Sequence, residues 1–155
     1  MAKSKLATTK LDAAISDLTQ SCDHQTLAIW VADCAERVAR HFEVTYPDDP
    51  RVRNAIEASR SWVKGKLAMT DARKAAFAAH AAAREAETSP DAQAAARSAG
   101  HAAATAHVQT HAVHAATYAV TAIRNATQDE EATTAMEHER EWQYAHLLEL
   151  GKTDD

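Results

Sequence analysis

The chain is expected to fold entirely into α-helices, as a compact alanine-rich bundle of five to six helices with one long member. Three observations predict this. Alanine, the strongest helix former, supplies about a quarter of the 155 residues, while Gly and Pro number three each. No run of β-branched and aromatic residues alternates with polar ones, as a half-buried strand requires. Apolar residues recur instead at intervals of three and four, the spacing of one helix face. The length suits one helical domain over residues 8–150, with a flexible N-terminal tail over 1–7 and a C-terminal tail over 151–155.

In chain order, "TTKLDAAISDLTQ" fits a short helix capped by Thr8 or Thr9. A second helix starts near Asp23, whose carboxylate accepts from the first free N–H groups. Leu27, Val31, Cys34, Val38 and Phe42 make one apolar seam on it. Ala28, Ala32, Ala35 and Ala39 make a second, and Trp30 widens the face, which marks this helix as central. "YPDDP" breaks the chain, because Pro47 disfavours helix for the residue before it. Asp49 followed by Pro50 opens the next helix, which turns Val52, Ile56, Ser59, Trp62 and Val63 inward and ends at Gly65. Thr70 and Asp71 start another. Ser89, Pro90 and Asp91 open a helix expected to run to about Ala126, some 55 Å at 1.5 Å per residue, with Gly100 as a point of bending. Thr127 and Glu130 fit a capping box for a last helix ending at Gly151. "DARKAAFAAHAAAREA" and "DAQAAARSAGHAAATA" match with one residue slipped, which admits a duplicated helical unit but is too little for a solenoid.

The formal charge of −5 and pI near 6.0 argue against nucleic acid as partner and suit docking to a basic protein. Cys22 and Cys34 lack C-x-x-C spacing, so neither a disulfide framework nor a zinc site is expected. The first residues lack the apolar block of a signal peptide, and no stretch of about 18 apolar residues is present. The expectation is a cytoplasmic protein with no membrane contact and no cofactor.

The segment "GHAAATAHVQTHAVHAATYA" raises the question of a ligand site. On one continuous helix His107, His111 and His114 fall within about 60° of each other, while His101 points about 120° away. The four histidines are therefore read as separate, packing or hydrogen-bonding between helices. His107 and His111, four apart, are the alternative metal-ligating pair, with His101 or His80 from neighbouring faces as further candidates, but two ligands alone do not complete a site. Val108 stands where a zinc-protease helix needs Glu, and no Glu-x-x-His occurs on this helix. Cys34 and His41 are seven apart, too far for a nucleophile and its base. No phosphate-binding glycine loop is present. An enzyme is therefore not expected; a polar pocket holding Trp30, Arg37 and His41 is the one place where small-molecule chemistry fits.

Five segments carry a resemblance: "LAIWVADCAERVARHFE", "YPDDPRVRNAIEASRSWVKG", "ARKAAFAAHAAAREA", "AAARSAGHAAATAHVQTHAVHAATYA" and "EREWQ". In this order they resemble a family of bacterial immunity proteins, the immunity-type-five-like domains associated with polymorphic toxin systems. The similarity spans residues 27–147. Its specific parts are the W-x-x-D-C-A-E run, the Pro-Asp-Asp break, the Trp-Val-Lys-Gly end and the Glu-Trp-Gln motif. The family tends to have Pro at Val52 and a small residue at His114, and the second departure weakens His114 as an essential ligand. The resemblance implies a helical protein that binds and neutralises a cognate protein toxin, an acidic face covering a basic active site. The candidate contact residues are the acids at helix starts and on the last helix: Asp48, Asp49, Asp129, Glu130, Glu131, Glu137 and Glu141. The alternative is a metal- or small-ligand-binding bundle using the histidine-rich helix. A surplus apolar seam on the second or last helix further suggests a two-fold homodimer.

Overall fold

The computed structural model describes residues 6–152, and these fold without a β-strand. Eight helical segments follow in order: α1 (Asp12–Thr19), α2 (His24–Val38), α3 (Arg40–Glu43), α4 (Arg51–Val63), α5 (Met69–Glu85), α6 (Pro90–Ala104), α7 (His111–Ala126) and α8 (Asp129–Gly151). That is more than the five to six expected. One extra segment is α3, a four-residue continuation of α2 beyond Ala39 that carries Phe42 into the core. The other comes from the division of the expected long helix.

α2 is central, as its two seams require. Asp23 accepts a 2.7 Å hydrogen bond from the Thr26 N–H, and Leu27, Val31, Cys34, Val38 and the four alanines beside them are all buried. Trp30 is fully buried, with Nε1 donating to the Gln143 carbonyl at 2.9 Å. Both seams are thus consumed within the chain, so α2 offers no surplus face for a dimer. At the head of α1, Thr9 and Asp12 close on each other: the Thr9 N–H donates to Asp12 Oδ2 at 2.9 Å and its hydroxyl to Oδ1 at 3.2 Å. α4 begins after Pro50, with Asp49 accepting from the Arg51 N–H at 3.1 Å. It ends at Gly65, whose φ of 72° is the left-handed value that only glycine adopts without strain. Gly65 N–H then returns to Trp62 O and Lys66 N–H to Ser61 O, closing the last turn.

The expected 55 Å rod is corrected to a helical hairpin. Residues 105–110 leave the helix and α7 folds back along α6. Thr105 sits at the break, its hydroxyl donating to the His101 carbonyl at 2.8 Å, and His107, Val108, Gln109 and Thr110 that follow are exposed. The gain is mutual burial: Ala95, Ala99, Ala102 and Ala103 of α6 and Ala112, Ala115, Ala116 and Ala119 of α7 are all excluded from water. Ser98 Oγ reaches the Ala115 carbonyl at 2.8 Å, an approach that only small side chains permit. Gly100 does not bend α6; its bare Cα admits the His80 ring, which would lie 2.7 Å from an added Cβ.

The expected capping box at α8 does not form. Thr127 donates backwards to Ile123 O at 2.6 Å, and Gln128, in extended conformation, precedes the helix. Residues 1–5 and 153–155, which hold most of the two expected tails, lie outside the described residues. Ala7 is buried, its N–H donating to Thr121 Oγ1 at 2.8 Å. α8 extends through Gly151.

Candidate functional site

Two clusters of polar side chains emerge once the helices pack: the sequence reading did not anticipate the first, and of the second it expected imidazoles packing or hydrogen-bonding between helices but not their meeting in one place. The first joins α2, α4 and α8. Arg37 grips the buried Glu139 with two hydrogen bonds, Nε to Oε2 at 2.8 Å and Nη2 to Oε1 at 2.9 Å. Its guanidinium lies 4.0 Å from the centroid of Trp142, which also stacks on the His146 ring at 4.8 Å. His146 Nε2 is 2.7 Å from Asp33 Oδ2, and Asp33 Oδ1 accepts from Arg60 at 2.9 Å. Arg60 and Arg53 share Glu36, and Arg53 also binds Glu43 at 2.9 Å. These arginines hold the Glu36 carboxyl below the usual carboxylate range against the opposing effect of burial. The Trp-x-x-Asp-Cys-Ala-Glu run and the Glu-Trp-Gln motif therefore meet in space. Trp30 bonds to Gln143, Asp33 faces His146, and Arg37 lies over Trp142. Paired charges at half-exposed positions make this strip a clamp between helices.

Beneath it Arg140, only 3% exposed, is enclosed by Asp12 at 2.8 Å, by Gln143 Oε1 at 2.8 Å and by Thr117 Oγ1 at 2.8 Å. The Asp12 contact is an ion pair set off the Nε–H direction, so charge more than hydrogen bonding holds it. Burial lowers the Arg140 pKa, opposed by Asp12. Gln143 Nε2 donates to Ala116 O at 2.9 Å, so one buried group ties α8 to α7.

The second cluster corrects the separation of the histidines. The angles read along a single rod do not survive the hairpin, which brings His101 of α6 against His111 and His114 of α7. His101 Nδ1 and His111 Nδ1 are 3.0 Å apart, and the His101 ring stacks on Tyr118 with planes 8° apart. His80 of α5 meets His101 edge to face at 4.8 Å, so the histidines of the two similar segments face each other. Arg97 fixes the state of His80: its Nη1 is 2.8 Å from Nδ1, and a permanent cation makes that nitrogen the acceptor. Burial, followed by Arg97, lowers the His80 pKa to about 4; burial, followed by His80, lowers that of His101 to about 3. His111 is lowered for the same first reason. Burial thus favours the neutral imidazole at His80, His101 and His111. A metal cation would share the cluster with Arg97, and among the described residues no three His, Cys, Asp or Glu side chains form a metal-ligating group. The alternative pair is not brought together on one ligand: His107 Nδ1 lies 3.1 Å from Met69 Sδ, while His111 engages His101.

The other expected positions scatter. Trp30, Arg37 and His41 have separate partners: Trp30 donates to the Gln143 carbonyl, Arg37 binds Glu139, and His41 lies 3.6 Å from Asp91, with burial lowering its pKa. A shallow open depression is lined by residues 45–51, including Asp48 and Asp49, but Asp49 is held by Arg51 at 2.7 Å. The Cys34 thiol is fully buried, and its pKa is pushed up by that burial, which leaves it unreactive. Asp129, Glu130, Glu131 and Glu141 are exposed on α8 and Glu137 is half-buried there; none of the five, nor Asp48, makes an ion pair with another described residue. No helix among the described residues is long and apolar enough to cross a membrane.

No curated protein and no solved structure matches the chain. One family model does, described as "Imm-5 like putative immunity protein", over residues 17–150, a span that includes the α2 run and the α8 motif that meet in the polar strip. The chain belongs to the Imm-5-like immunity protein family.

Proposed function

We propose that this protein is an immunity protein that binds a cognate protein toxin and blocks it sterically, with no chemistry of its own. Membership of the immunity family is the observation that carries this reading. The outward face of α8 supports an acidic contact surface. Glu130, Glu137 and Glu141 fall within about 40° of one another around the helix, with Asp129 and Glu131 at its start. Elsewhere Asp33, Glu36, Glu43, Asp49, Glu85 and Glu139 are held by arginines. The α8 acids have no such partner to give up. They attract a basic surface at long range and meet it without breaking an internal pair. Asp48 is available in the same way, on a separate loop.

The test is co-expression with a toxin domain encoded beside this gene. Relief of growth arrest is expected, together with a complex on gel filtration that weakens as salt rises. Combined reversal of Glu130, Glu137 and Glu141 to Lys should cost about tenfold or more in affinity. Arrest that persists despite abundant folded protein overturns the reading; a complex unaffected by the reversals moves the contact surface off α8.

A further inference from the structure

The face of the bundle remote from α8 has the opposite character. α5 packs on α4 and α6, whereas α8 packs on α1, α2 and α7. The outer side of α5 exposes Phe77 at 58%, with Arg73 and Met69 one and two turns before it. The Arg73 guanidinium lies 5.3 Å from the Phe77 ring centroid, and Val108 is exposed next to His107, which touches Met69. Lys64, Lys66, Arg73, Lys74 and Arg84 are all exposed around this patch and make no ion pair with a described residue. A basic, aromatic-centred surface on a chain of net charge −5 is a marked asymmetry.

We propose that the Met69–Arg73–Phe77 face of α5 docks on the acidic face of α8 of a second copy of this chain. Charge selects this pairing. A two-fold contact of α5 with α5 sets Arg73 and Lys74 in a field of like charge, and α8 against α8 does the same with glutamates. Only the head-to-tail contact joins opposite signs. The spacing also matches. Arg73 and Arg84 are eleven positions apart, about 20° apart around the helix axis, and so are Glu130 and Glu141. Both intervals are about 16 Å long, so the two ion pairs form together. Leu148, 41% exposed, continues the α8 stripe and supplies apolar surface beside the acids. Because the α5 and α8 faces lie on different flanks, one copy cannot satisfy its own. The contact is weak and salt-sensitive, and it covers the acids proposed to meet the toxin, so self-association and toxin binding exclude each other.

Sedimentation equilibrium of the full chain in low and high salt tests this. Concentration-dependent association at low salt is expected, lost at high salt. Arg73→Glu with Arg84→Glu should weaken it about tenfold, and Glu130→Arg with Glu141→Arg likewise. An equimolar mixture of the two double variants should associate again, since each then presents the sign the other lacks. Phe77→Ser should also weaken association, with the helical circular dichroism unchanged. The α5 double variant keeps its toxin-blocking surface, so loss of self-association with growth rescue intact separates this proposal from the immunity reading. A monomer at all concentrations in low salt, association that survives either reversal, or a mixture that fails to associate overturns it.

Discussion

The bundle is held together in two different ways on its two sides. Around α2, α3 and α8 the core consists of large side chains, with Trp30, Phe42, Ile15, Ile56 and Leu147 fully buried and a chain of ion pairs closing over them. Between α5, α6 and α7 it is almost wholly alanine, with Ser98, Gly100 and a stack of imidazoles filling what remains. On the first side stability comes from area removed from water per residue. On the second each residue contributes little, and the close approach of backbones makes up the difference through many small contacts. The first side should therefore be injured by removing atoms and the second by adding them.

The largest expected effect follows on the first side. Phe42→Ala leaves a cavity beneath α2 and should cost about 3–5 kcal/mol in denaturant unfolding. Asp12→Ala leaves the buried Arg140 without its counter-charge. Because Asp12 is itself partly exposed, about 1–3 kcal/mol is expected, and Asp12→Ala with Arg140→Met should recover part of it. On the second side Ala99→Leu forces α6 from α7 and should cost about 1–3 kcal/mol, although Leu buries more apolar area. An equal or smaller loss for Phe42→Ala than for Ala99→Leu would break the contrast.

A pH effect sharpens it further. His41, His80, His101 and His111 have folded pKa values below their unfolded value near 6.5. The unfolded chain binds more protons below pH 6.5, so their contribution is fully present above that pH and is lost as pH falls towards the folded values. The thermal midpoint should therefore be lower at pH 5 than at pH 7, and His80→Gln with His101→Gln should flatten the slope. Glu36 and Asp49, whose pKa values are lowered, act in the same sense but below about pH 4.5, outside this window. The smallest effect is reserved for Glu137→Lys or Glu141→Lys, each within about 0.5 kcal/mol of the parent in stability, which leaves any lost binding attributable to the surface.

Much of the first side was legible residue by residue. The Asp23 cap, both α2 seams and the Gly65 terminator are local patterns, and each is found in place. Its ion-pair strip was not legible, because Arg37 and Glu139, like Asp33 and His146, are over a hundred positions apart and look like ordinary solvated charges. The hairpin was missed for another reason. Thr, Val and Gln at 105–110 are each tolerated within a helix, so no single breaker announces the turn. The run of five non-alanine residues at 107–111, inside a stretch otherwise dominated by alanine, is the available signal. Missing it placed His101 on the wrong side of His111 and His114.

The sequence alone determined that the chain is helical and which helix lies at the centre, because propensity, caps and the 3.6-residue period act within a few neighbours. Its motifs also carried the family. Tertiary packing alone decided where the helix expected over residues 90–126 divides and which imidazoles meet. The same packing decided which acids are neutralised and which stay free on α8. An alanine face has no preferred partner until a second one is laid against it, and a charge has no fixed role until folding brings its counter-charge within reach.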